Sequence, residues 1–116
     1  MRLWLGIAAV NGAFAVAAGA FAAHGLQARL SPQALEVFET GARYQMYHAL
    51  AMGMAALAGT RSPPILFLAG ILLFCFSLYA LGLGAPSWLG VVTPFGGGLL
   101  IAGWICLGVS AFSKPG

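Results

Sequence analysis

Residues 40–48 hold an arginine, two tyrosines, a glutamine and a histidine: Arg43, Tyr44, Gln45, Tyr47 and His48. They run straight into an apolar segment, where an unpaired polar group is costly and a retained one is a functional candidate. His24, Glu36 and Glu39 add an imidazole and two carboxylates near the same membrane face, and Asn11 stands alone inside an apolar run. Such groups could hold a metal or haem iron, or line a proton or solute pathway. They could equally satisfy one another and tie helices together.

Spacing weakens the metal reading. The chain has no Glu-x-x-His pair of the di-iron kind, no Cys-x-x-Cys-His and no His-Glu-x-x-His. No metal site and no cofactor is assigned, with bis-histidine haem through His24 and His48 kept as the alternative. Nucleophilic catalysis fares no better: Ser77 lies in an apolar stretch without an adjacent base, and the glycines 96–98 follow Pro94 without a P-loop lysine. No catalytic residue is assigned, and the expectation is a protein that is not an enzyme. A small drug/proton exporter would need a membrane-embedded carboxylate, whereas the first apolar segment offers only Asn11, which cannot titrate. The remaining reading is a cluster of His24, Glu39, Arg43, Tyr44, Gln45 and His48 that is structural or touches a ligand. In it Glu39 pairs with Arg43 at i,i+4, or both face water, and His48 bonds a neighbouring loop or helix.

The elements that must position these residues follow from charge. The 116 residues are 61% hydrophobic and 6% charged, against roughly 25% charged in ordinary soluble domains. So few charges cannot cover the large relative surface of one small soluble domain, but they suit a bilayer. The net charge of +3 is too small and scattered for a nucleic-acid surface and fits anionic lipid head groups. No Asp, Glu, Lys or Arg lies between Arg2 and Arg29, between Arg43 and Arg61, or between Arg61 and Lys114. The first two gaps hold one membrane helix each; the third holds two, folded back at "GLGAPSWLG".

The sequence therefore predicts an all-α, polytopic membrane protein: a single domain forming a four-transmembrane-helix bundle. The spans fall near residues 3–23, 44–59, 65–83 and 91–112, with the second extended N-terminally from residue 32. Ser31 and Pro32 make a capped start for that helix, and Thr93 with Pro94 suggests the same for the fourth. The first segment resembles a signal peptide, but it is longer than a signal h-region and carries Asn11, so it reads as a span. Arg2, Arg61 and Lys114 fall on one side and Arg29 and Arg43 on the other, a narrow vote for cytoplasmic termini.

Small residues recur at helical spacing, with Gly12, Gly19 and Gly98 as the expected helix-packing positions. A stripe left over could support a homo-oligomer or a larger membrane complex. Cys75 and Cys106 match no zinc pattern and sit at depths too different for a disulfide.

"GAFAAHGL" from residue 19, "FETGARYQMYHALA" from 38, "AGILLFCFSLYAL" from 69 and "TPFGGGLLIAGW" from 93 resemble the YgdD/YwdK family. This family comprises small four-helix membrane proteins of unknown function, with a human mitochondrial transmembrane relative. Cys75, Phe76 and Ala22 depart from its smaller residues. The resemblance implies a bacterial inner-membrane protein and supplies no reaction, substrate or cofactor. The function expected is a non-enzymatic packing or accessory module in lipid; the alternative is a solute-, proton- or haem-handling protein built on His24 and His48.

Overall fold

A computed structural model of the protein describes residues 2–113, so Lys114, counted above for orientation, lies outside the described residues. Four helices run in chain order: α1 (Arg2–Leu26), α2 (Pro32–Leu57), α3 (Ser62–Gly82) and α4 (Ser87–Ser113). No strand is present among the described residues.

Ends are set by local chemistry. Ser31 Oγ accepts from the Ala34 amide at 3.1 Å, and Pro32 takes the first position of α2. α2 and α3 stop with the same device. After α2, Gly59 at φ +79° lets its own amide reach Ala56 O and the Thr60 amide reach Ala55 O. After α3, Gly84 at φ +104° lets its amide reach Leu81 O and the Ala85 amide reach Ala80 O. These are paired 5→2 and 6→1 closures, which need the left-handed conformation that glycine adopts freely. Pro63 and Pro64 then start α3. α4 begins seven residues before Pro94, because a 3-10 turn (Ser87–Val91) leads into the α-helix Val92–Ser113. Thr93 is therefore inside the helix.

Two helices contain a π turn that periodicity does not reveal: Ala22–Leu26 ends α1, and Ile71–Cys75 interrupts α3 between Ser62–Gly70 and Phe76–Gly82. A π turn adds one residue to a helical ladder and turns everything beyond it by about 100°.

α2 lies in the middle, packed along α1 on one side and α3 on the other, while α4 packs mainly on α3. Phe67, Met52, Ile71, Pro64 and Cys75 are fully buried in the core, and Gln45 is buried among them. Both cysteines are free thiols. Glycine lets α3 and α4 meet at backbone distance. A Cβ on Gly70 would stand 2.5 Å from Leu100, one on Gly103 2.6 Å from Phe67, and one on Gly96 would run into the backbone of Leu73 and Phe74. Gly82 and Gly41 do the same for α2 against α3, with Phe38 Cβ at 2.9 Å and Cys75 O at 3.0 Å.

The packing glycines expected from sequence were others. A Cβ on Gly12, Gly19 or Gly98 would meet nothing within 4 Å, so none of the three brings two helices into close contact, although Gly12 lines the open groove between α1 and α2. Their spacing is real, but it does not say which face of the helix is turned inward.

α1, α3 and α4 are each long and apolar enough to cross a bilayer. α2 falls short by its own composition, because Glu36, Glu39, Arg43, Gln45 and His48 all lie on it.

Candidate functional site

Two chains of hydrogen bonds cross the bundle, and α2 carries the middle member of each. In the first, Tyr79 of α3 donates its hydroxyl to Gln45 Oε1 at 2.6 Å. Gln45 Nε2 donates to Asn11 Oδ1 of α1 at 3.0 Å, and Asn11 Nδ2 closes the chain on Ile7 O at 2.9 Å. Gln45 has no accessible surface, and Asn11 and Tyr79 are buried. Every member thus exchanges a donor for an acceptor where water is excluded.

In the second chain, Trp104 of α4 donates its indole Nε1–H to His48 Nε2 at 3.0 Å. His48 Nδ1 lies 2.6 Å from Tyr44 O, one helical turn back. An indole can only donate and a carbonyl can only accept, so Nδ1 carries the single ring proton and the imidazole is neutral. Edge-on rings of Phe67 and Trp104, 5.4 Å apart, pack beside it. A third link joins Ser77 Oγ of α3 to Thr93 Oγ1 of α4 at 2.6 Å.

Two of the sequence-based pairings are corrected. Arg43 does not pair with Glu39. It donates from Nη2 to Glu36 Oε2 and to Thr40 Oγ1, both at 3.1 Å. Seven residues make nearly two full turns, so Glu36 stands on the same face as Arg43. Helical side chains lean toward the N-terminus, which carries the long arginine stem back to it. The pair is exposed, at 46% and 67%. Glu39 is partly exposed beside it.

The two histidines do not meet. His24 is exposed on the π turn that ends α1, whereas His48 lies 16 residues into α2, on the order of 24 Å along that helix from its start. Both ring nitrogens of His48 are engaged, and two axial ligands of one haem iron cannot be that far apart. Nor does Gln45 join Tyr44 and His48: Gln45 turns to α1 and α3, whereas the half-exposed Tyr44 ring stacks on His48 at 6.1 Å and His48 reaches α4. Among the described residues no group of three His, Cys, Asp or Glu is placed to hold a metal ion.

Sequence reasoning missed Tyr79, Trp104, Ser77 and Thr93 as polar partners. Thr93 was marked only as a helix start beside Pro94, the others sit in long apolar runs, and only the packing of α3 and α4 on α2 and on each other brings each to its partner. The result is complete satisfaction: among the described residues no buried side-chain nitrogen or oxygen lacks a partner.

The sequence profile of a family described as "Protein of unknown function (DUF423)" matches residues 18–97. A UPF0382 membrane protein of Staphylococcus aureus (strain bovine RF122) is 43% identical over 122 aligned positions, covering 100% of both chains. One from Haemophilus influenzae is 43% identical over 117, covering 96% of this chain and 94% of its own. The UPF0382 membrane protein YwdK of Bacillus subtilis is 39% identical over 119, covering 96% and 97%. No solved structure matches. The relatives' names state a membrane protein and no reaction.

Proposed function

The chain belongs to the DUF423 family of membrane proteins of unknown function, and from that premise we propose that it is a non-enzymatic packing or accessory module of the bacterial inner membrane. One observation carries the reading: the buried polar side chains are consumed by bonds between helices, in the Asn11–Gln45–Tyr79 and Tyr44–His48–Trp104 chains. Tyr44, His48 and Trp104 do line a groove of about 580 Å³, but both ring nitrogens of His48 and the Trp104 indole N–H are already engaged there.

The same bonds support four crossings rather than three. Alone, α2 is too polar to favour lipid; flanked by α1 and α3, and with His48 reaching α4, it turns its costly groups toward other helices. Its charged first turns, with Glu36 and Arg43, then extend to the head groups. Arg2 and Arg61 lie at one end of the bundle, which favours cytoplasmic termini. Gly12 and Gly98, open to the outside, offer small-residue surface for a second copy or a larger membrane complex. No cofactor is part of this reading.

Reporter fusions after residue 60 and at the C-terminus, combined with an N-terminal tag, test the topology. Four crossings place both termini and residue 60 on the same side. Three crossings, with α2 lying along the surface, would put the termini on opposite sides and defeat the reading. The structural role is tested by substituting Gln45 and His48: detergent stability should fall, and no bound chromophore or solute should be lost with it.

A further inference from the structure

The charges are unevenly divided between the two ends of the bundle. The half near the α1–α2 and α3–α4 turns carries Arg29, Arg43, Glu36 and Glu39, which sum to zero, and Arg43 is bonded to Glu36. The other end, where α1 starts and α2 turns into α3, carries Arg2 and Arg61 with no acidic residue of the described chain near them. That end also has a groove of about 470 Å³, lined by Leu3, Trp4, Gly59, Thr60, Arg61 and Ile65. A second groove beside it, about 270 Å³, is lined by Arg2, Leu5, Ala56 and Leu57, and the two share Ala56.

The first groove is amphipathic. Arg61 is exposed at its mouth, and Trp4, with its indole N–H as a donor, occupies the wall, while Leu3 and Ile65 add exposed apolar surface to it. Thr60 directs its hydroxyl proton to Ala55 O at 2.9 Å, which pins the turn against the end of α2. The left-handed Gly59 swings the chain so that Arg61 stands beside the first turn of α1. A cation and an indole donor above an apolar wall match a phosphate with an acyl chain below it.

We propose that this groove binds the phosphate head group of an anionic phospholipid, with Arg61 as the principal cation, Trp4 as the neighbouring donor and Arg2 adding positive potential from the adjoining groove. The acyl chain lies along Leu3 and Ile65. This rests on the bundle spanning a bilayer, which the reporter fusions measure separately. Loss of the lipid preference with four crossings intact would therefore count against the groove alone.

The test is native mass spectrometry of the full chain released from nanodiscs made of equal parts phosphatidylglycerol and phosphatidylcholine. The expected result is preferential retention of phosphatidylglycerol. Arg61→Gln should reduce that preference about five-fold, since one basic residue near a membrane surface contributes about that factor. Arg61→Lys should keep most of it, and Arg2→Gln should lower it less. Arg29→Gln, at the other end, should leave it unchanged. Glycerol phosphate added in solution should not displace the lipid. Equal retention of both lipids, or equal losses in Arg61→Gln and Arg29→Gln, would overturn the proposal. Displacement by glycerol phosphate would overturn the lipid as occupant and indicate a site for soluble phosphates.

Discussion

Gln45 gives the sharpest residue-scale test, because its amide serves two helices at once. Gln45→Leu leaves the Tyr79 hydroxyl and Asn11 Oδ1 without their partners inside the bundle. Cross-helix bonds in membranes contribute about 0.6 kcal/mol on average and up to about 1.7, so the loss of two should cost about 1 to 3 kcal/mol. Detergent or bicelle unfolding should register this as a lower midpoint, and adding Tyr79→Phe should recover part of the loss by removing the orphaned hydroxyl. His48 and Trp104 should couple in a double-mutant cycle of His48→Ala and Trp104→Phe by about 0.6 to 1.7 kcal/mol. Strictly additive effects in that cycle would mean that the indole–imidazole bond contributes nothing. The carboxylates behave differently. Arg43 and Glu36 are exposed, where such pairs contribute about 1 kcal/mol or less. Replacing Glu36 and Glu39 together with Gln should leave the midpoint nearly unchanged.

At the scale of elements, the glycines separate inner from outer faces. Gly96→Ala would drive a methyl into the backbone of α3, which no rotamer change relieves, and should destabilise by about 1 to 3 kcal/mol. Gly103→Ala meets the Phe67 ring instead and should cost less if that ring can shift. Gly12→Ala and Gly98→Ala meet open space and should be neutral, or stabilising by up to about 1 kcal/mol through helix propensity. If either reduces oligomer mass in cross-linking while leaving the midpoint intact, its face serves an outer interface. The four helices, the start of α2 and the turn between α3 and α4 were legible, because charge gaps, Ser31–Pro32 and the glycines of "GLGAPSWLG" act locally. The inward faces were not. Gly12 and Gly96 both lie in glycine- and alanine-rich helices, and only the partner helix tells them apart. Likewise Gln45 stood out as part of the polar run 43–48 while Tyr79, its partner 34 residues away, did not.

The whole molecule is a rod with extents of 52 × 26 × 19 Å, longer than the roughly 30 Å of bilayer hydrocarbon. Single cysteines at Ser62 and Ser87, at opposite ends of α3, should label from opposite sides of a sealed vesicle. Labelling from the same side would show that α3 does not cross. With α3 crossing, the charged first turns of α2 share the side of Ser87, and Arg61 shares that of Ser62. The molecule is then electrically lopsided along its long axis.

The π turn at Ile71–Cys75 bears on how this gene can change. Upstream of it, α3 presents Phe67 and Gly70 to α4; downstream, it presents Ser77 to Thr93 and Tyr79 to Gln45. The two stretches obey different rotational phases, and the extra residue reconciles them. Deleting one codon among residues 72–74 would leave a well-formed α-helix and an uninterrupted reading frame. It would also leave Ser77 and Tyr79 facing Thr93 and Gln45, because an α-helix covers the same rotation with one residue fewer than the π turn. A one-residue deletion in a regular stretch of helix instead swings everything beyond it by about 100°. The π turn should therefore absorb the loss of a residue with the polar links to α2 and α4 intact, where the same loss in the regular part of α2 would break them.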